Sequence, residues 1–211
     1  MRVIFVLLSG LCLIKCVAQD YDYPDFRSKK DNFLKMREKE IRSDLSSFTI
    51  AGIEESMGKQ SMKSIPIVNY SNNFMHFQGN DIQVMIRAGR FDPAKHKLGY
   101  SEKYLVKIDN KPFYGNYGSV PRNNIESIKV IVGRDTVEFP PTAFADLYNP
   151  NFTYTDASGS LKSHNGVYLS PDNHKIYIYM LNREPASSYE VTWVIENKKY
   201  LRRVVDFGLL K

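Results

Sequence analysis

Four histidines are the side chains best suited to acid–base or metal chemistry, and they are scattered singly along the chain. They are His76, His96, His164 and His174. A helical zinc site places two histidines one turn apart, and none of these four has a partner at such a spacing. The sequence therefore predicts no metal site and no cofactor. A hydrolase whose site is assembled from distant residues remains an alternative, with His96, His164 and Asp156 as its candidates.

Two aromatic features are candidates for ligand binding. Residues 113–121 (FYGNYGSVP) combine glycine with tyrosine, and glycine lets a loop expose Tyr114 and Tyr117 for stacking on a sugar or a peptide. Trp193 and Arg202 are expected to face each other on adjacent strands, where they would form a ligand platform. An ordinary packed connection and a cross-strand packing pair are the competing interpretations, and we favour packing for both.

The element expected to position Trp193 and Arg202 is a run of β-strands over residues 166–207. A two-residue turn at Asn197 and Lys198 predicts a hairpin, and counting outward from it pairs Trp193 with Arg202. The face that carries Trp193 is expected to face the core, since it is the more aromatic one. Residues 175–181 (KIYIYML) are apolar on both faces, which predicts a strand covered on both sides.

Alternating apolar residues predict further antiparallel strands between residues 65 and 139, and residues 143–148 are expected to form a short helix. Residues 151–165 (NFTYTDASGSLKSHN) have the composition of a long surface loop. We expect any functional residues to lie in this loop or in residues 113–121.

The first eighteen residues have the pattern of a secretory signal peptide. Arg2 supplies a positive charge, residues 3–14 are apolar, and small residues stand at the expected cleavage site after Ala18. We therefore expect an exported protein, periplasmic or secreted. Lipid attachment at Cys16 is an alternative, but Lys15 precedes it where lipoprotein signals carry a small residue. No segment is long and apolar enough to predict a transmembrane helix in the mature chain.

Residues 19–25 are expected to form a flexible lead, and residues 26–58 a helical segment in which charged residues separate apolar ones at helical spacing. Residues 59–211 are expected to form the β domain, as one folded unit with the helical segment.

Composition excludes several classes of protein. The formal net charge of +6 is mildly positive and is not concentrated on one segment, which argues against a nucleic-acid-binding protein. Both cysteines lie within the first eighteen residues, so a mature chain would contain no disulfide and no cysteine nucleophile.

Three phrases of the C-terminal half carry a resemblance to known sequences. They are LYNPN (147–151), IYIYMLN (176–182) and SYEVTWVIENKKYLRRVVDFG (188–208). The chain resembles uncharacterised exported proteins of Bacteroidota, which implies export from a Gram-negative cell and implies no activity.

The sequence thus predicts a mainly β protein with N-terminal helices (α+β). An antiparallel β-sandwich is the first choice, and an open antiparallel sheet with helices packed on it is the second. The expected function is a non-catalytic binding or interaction module of the cell envelope, with a protein or a glycan as its partner. A hydrolase and an inhibitor or immunity-type protein are the alternatives.

Overall fold

The computed structural model describes residues 25–26, 62–116, 118–183 and 188–206, and in these residues the chain is mainly antiparallel β. Only two short helical turns occur in these ranges, the 3-10 turns Pro93–Lys95 and Pro141–Ala143. Neither is long or apolar enough to cross a membrane. The predicted mainly β class is confirmed.

Fifteen strands follow one another in the described ranges. They are β1 (Asp25–Phe26), β2 (Lys63–Ile65), β3 (Ile67–Ser71), β4 (Phe74–Gly79), β5 (Ile82–Arg90), β6 (Leu98–Ser101), β7 (Tyr104–Ile108), β8 (Asn123–Val132), β9 (Asp135–Val137), β10 (Tyr154–Thr155), β11 (Leu161–Lys162), β12 (Gly166–Leu169), β13 (Lys175–Asn182), β14 (Tyr189–Glu196) and β15 (Lys199–Asp206).

These strands form two main sheets and two small hairpins. The six-stranded sheet has the order β1-β15-β14-β13-β12-β2, and the five-stranded sheet has the order β3-β4-β5-β8-β9. All the pairings are antiparallel except β1 with β15. The hairpins are β6-β7 and β10-β11.

One hydrophobic core joins the two main sheets. It includes Met75, Val84 and Val130 from the five-stranded sheet and Ile178 and Trp193 from the six-stranded sheet, all fully buried. The arrangement is therefore sandwich-like. Strand β13 is buried on both faces over most of its length, as its apolar sequence predicts.

The hairpin β14-β15 confirms the predicted turn but corrects the predicted register. Asn197 and Lys198 both have positive φ angles, 50° and 63°, which suit a two-residue hairpin turn. Beyond the pair Ile195–Tyr200 the register shifts, so that Arg202 pairs with Val194 and Trp193 pairs with Arg203. The prediction that Trp193 pairs with Arg202 is wrong, because a bulge inserts one extra residue into β15.

Two helical predictions have different outcomes. The helix predicted over residues 143–148 is wrong: residues 144–146 form a further turn after the 3-10 turn, and Leu147 and Tyr148 form isolated bridges with Tyr114 and Asn124. The predicted helical segment 26–58 lies outside the described residues except for Phe26, which belongs to β1. The signal peptide 1–18 also lies outside them, as does the lead 19–25 except for Asp25, which belongs to β1.

A buried ion pair fixes the segment after β9 on the six-stranded sheet. The guanidinium of Arg203 donates to both carboxylate oxygens of Asp146, at 2.5 and 2.6 Å, and to the carbonyl of Ala143 at 3.2 Å. The indole N–H of Trp193 donates to the same carbonyl at 2.7 Å. Burial alone lowers the pKa of Arg203, but the hydrogen bonds and charge of Asp146 outweigh it, so the pKa is raised.

We expect Asp146→Ala to lower the free energy of unfolding by about 3 kcal/mol, because it leaves the charge of Arg203 buried without a partner. Asp135→Ala is the matched control, since its partner Lys198 and Asp135 itself are both more than half exposed. Its loss should stay below about 1 kcal/mol. Urea denaturation measures both variants, and equal losses would contradict the role given to Arg203.

Candidate functional site

An open cleft of about 260 Å³ lies where three segments of the chain meet. These are the turn after β3, the loop that leads into β8, and residues 149–153. The cleft is lined by Asn72, Asn116, Arg122, Asn123, Asn149, Pro150, Asn151, Phe152 and Thr153. Five of these nine residues are asparagines, so the lining is dominated by side-chain amides.

Asn149 holds the centre of the cleft together. Its side-chain oxygen accepts the backbone N–H groups of Arg122 at 2.9 Å and Asn123 at 3.1 Å, and its amide nitrogen donates to the carbonyl of Gly115 at 3.3 Å. Its φ of 46° is left-handed, a conformation that asparagine tolerates better than most residues. The side-chain amide is thus used within the protein, and Asn149 is a positioning residue.

Gly115 lets the loop before β8 approach this centre. Its φ is 103°, and a Cβ atom on it would lie 1.9 Å from the carbonyl oxygen of Tyr148. Both backbone groups of the preceding residue are hydrogen-bonded: Tyr114 donates to the carbonyl of Asp146, and Tyr148 donates to the carbonyl of Tyr114, both at 2.9 Å. The segment that contains Asp146 is therefore hydrogen-bonded directly to the loop that contains Gly115.

The opposite wall of the cleft is tied to the β3-β4 turn and to the core. The hydroxyl of Thr153 donates to the side-chain oxygen of Asn72 at 2.8 Å, and the amide of Asn151 donates to the carbonyl of Arg183 at 3.3 Å. Phe152 lies between them and is 1 % exposed. Its ring belongs to the core, so it offers no stacking surface to a ligand.

Several polar groups of the lining remain available. Within the described residues, the side chains of Arg122 and Asn123 make no hydrogen bond or ion pair, and both residues are exposed. The amide nitrogen of Asn72 is also available there, as is the side-chain oxygen of Asn116, whose nitrogen donates to Ser119. The cleft can therefore offer several donors and one cation to a polar ligand.

Of the predicted ligand-binding residues that the structure describes, one adjoins this cleft. Tyr114 adjoins it but is partly buried, with its ring 6.2 Å from that of Tyr189. Tyr117 lies outside the described residues. Trp193 is fully buried in the core, and Arg202 is partly buried beside Val194. Ligand binding by these four residues stays a prediction, although the loop that contains Tyr114 does reach the cleft.

The hydrolase candidates lie in two local structures: His96 is at the β6-β7 hairpin, and Asp156 and His164 are at the β10-β11 hairpin. The Nδ1 atom of His96 lies 2.7 Å from a carboxylate oxygen of Asp109, in the region of the β6-β7 hairpin. His164 stacks on Tyr154 with 3.9 Å between ring centroids, and burial, more than the charge of Arg183, lowers its pKa. No group of three or more potential metal ligands occurs in the part of the chain that the structure describes.

The asparagines of the cleft were not selected from the sequence. A signal was present, because Asn72-Asn73, Asn123-Asn124 and Asn149-Pro150-Asn151 are clustered at expected turns and loop ends. Each cluster alone is typical of ordinary turn chemistry. Only their convergence in space distinguishes them as a site.

We expect Gly115→Ala to lower the free energy of unfolding by more than about 3 kcal/mol, since the new methyl group would overlap the Tyr148 carbonyl. Gly133→Ala is the control: Gly133 also has a positive φ, 65°, but no atom lies within 4 Å of the added Cβ. Its cost should be about 1–2 kcal/mol. Chemical denaturation compares the two, and similar losses would show that the close approach at Gly115 is unimportant.

Asp156 gives a pH-dependent test of the loop that follows β10. Its carboxylate accepts from Lys162 at 2.6 Å and from the hydroxyl of Ser158 at 2.6 Å. The bond to Lys162 is the largest of the contacts that lower its pKa to about 2. A lowered pKa means that the carboxylate stabilises the loop fully above its ordinary pKa of 3.8, and this contribution is lost as the pH falls through about 2.

Carbon-13 NMR titration of the Asp156 carboxyl should therefore give a midpoint near 2, and Lys162→Ala should raise it. Lys198→Ala, which removes a lysine paired with another aspartate, should leave the midpoint unchanged. A wild-type midpoint near 3.8 would contradict the ion pair.

We compared the chain with known protein families, curated proteins and solved structures. No protein-family model, no curated protein and no solved structure matches the chain.

Proposed function

We propose that this chain is a non-catalytic binding module of an exported protein, and that its asparagine-lined cleft binds a glycan of the cell envelope. The observation that carries the proposal is the lining itself: available amide and guanidinium groups on a backbone fixed by Asn149. The signal-peptide pattern of residues 1–18 supports export.

The chemistry of the lining favours a sugar over an apolar ligand. A side-chain amide has two donors and an acceptor, so it can hydrogen-bond neighbouring hydroxyl groups of one sugar ring. The large apolar residue of the lining, Phe152, is buried in the core. A ligand that depends on burying hydrophobic surface would therefore find little to contact.

The position of the cleft also argues against an extended peptide that binds by strand addition. That mode requires a free strand edge. At the cleft, strand β8 is paired with β5 on one side, and on the other side Asn123 and Ile125 are hydrogen-bonded to the backbone of Asn149 and Leu147. Side chains, and not a row of free backbone groups, must then provide the recognition.

The backbone of the cleft is already in place without a ligand. Asn149 fixes the backbone at both Arg122 and Asn123, and the Arg203–Asp146 ion pair fixes the segment that leads to Asn149. A preformed site loses less conformational entropy on binding than a site that must be ordered.

Binding to an array of bacterial envelope glycans tests the proposal, followed by titration calorimetry on the glycans that bind. We expect Asn123→Ala to weaken binding about fivefold, which corresponds to one net hydrogen bond of about 1 kcal/mol. Its thermal midpoint should not change, because the amide of Asn123 has no partner in the described residues.

The matched control is Asn69→Ala, which removes an exposed asparagine of β3 that does not line the cleft. It should bind like the wild type. Absence of glycan binding by the wild type, or equal binding by the Asn123→Ala variant, would refute the proposal.

A further inference from the structure

We infer that the glycan bound by the cleft is acidic, with one sugar carboxylate held by Arg122. This inference rests on the proposed function and identifies the class of glycan that the cleft selects. The cleft leaves more hydrogen-bond donors than acceptors available to a ligand.

Hydrogen-bond donors outnumber acceptors at this site. The amide nitrogen of Asn72, the amide nitrogen of Asn123 and the guanidinium of Arg122 have no acceptor within the described residues. The available side-chain acceptors there include the amide oxygens of Asn116 and Asn123 and the hydroxyl oxygen of Thr153. A guanidinium alone has five N–H donors, so a complementary ligand must be rich in acceptors.

The charge of the lining has one sign. Arg122 is the charged residue of the lining, and no carboxylate accompanies it among the nine residues that form the cleft. Strand β5 places Arg90 directly opposite Asn123 in the five-stranded sheet, which puts a second arginine next to the cleft. A negatively charged ligand therefore meets attraction here without an acidic side chain in the lining to repel it.

The geometry of the guanidinium suits a carboxylate. Its planar fork can donate two parallel hydrogen bonds to the two oxygens of one carboxylate. The one guanidinium of the lining matches the single negative charge of a sugar carboxylate.

The neighbouring side-chain amides of the cleft would then form hydrogen bonds with the hydroxyl groups of the same sugar. Asn149 binds the backbone N–H groups of both Arg122 and Asn123, so the backbone at these two consecutive residues is fixed together. Both residues line the cleft, so a sugar whose carboxylate binds Arg122 can present its ring hydroxyls to the amide of Asn123. Recognition of the acid and of the ring by adjacent residues distinguishes a sugar acid from a free carboxylate.

The experiment compares acidic oligosaccharides with their methyl esters by titration calorimetry. The probes are oligogalacturonate, hyaluronan fragments and oligosialic acid, each beside the ester in which the charge is removed and the hydroxyls are kept. For the wild type, we expect at least one acid to bind about tenfold more tightly than its ester or better, and the difference should shrink in high salt.

Three variants separate the outcomes. Arg122→Gln should lose the preference for the acid while it keeps the affinity for the ester, and Arg122→Lys should keep part of the preference because it retains the charge. Arg134→Gln, which removes an exposed arginine in the β8-β9 turn, should bind like the wild type.

Equal affinity of every acid and its ester in the wild type would overturn the inference and leave the proposed function standing, since the glycans would still bind. An acid preference that survives in Arg122→Gln would also overturn it. Failure of all the acids, their esters and the glycan array to bind would refute the proposed function as well.

Discussion

The ion pair between Arg203 and Asp146 is the contact on which the cleft of this structure depends. It anchors a segment without regular secondary structure to the interior of a sheet, and Trp193 reinforces it through the carbonyl of Ala143. A buried charge is costly unless it is paired, and this pair satisfies both oxygens of the carboxylate. The anchored segment is in turn hydrogen-bonded to the loop at Gly115, through its backbone and through the side chain of Asn149.

Asparagine has two different roles in the cleft that results. Asn149 replaces backbone hydrogen bonds that no strand supplies, by accepting two N–H groups and donating to a carbonyl. Asn123 makes no such bond in the described residues and offers its amide outward. The same residue type therefore supports the backbone at one position and leaves its amide available at the other, so the cleft is both rigid and polar.

The sequence predicted those features that depend on neighbouring residues. The turn at Asn197, the core face of β14 and the covered strand β13 follow from side-chain alternation and turn chemistry, and each is confirmed. The pairing of Trp193 was wrong because a bulge in β15 depends on what packs across the sheet. The cleft could not be predicted, because Asn72, Asn123 and Asn149 come from separate segments that only the fold brings together.

The parallel pairing of β1 with β15 has a consequence for how the chain folds. Nearly the whole described chain separates these two strands, whereas β13, β14 and β15 are joined by short connections. Loop-closure entropy makes such a distant pairing slow compared with the hairpins. Before β1 pairs with β15, the end of β15 has unpaired backbone groups, and a strand of a second chain can pair with them. This short strand therefore covers the end of the β15 edge, at Val205 and Asp206.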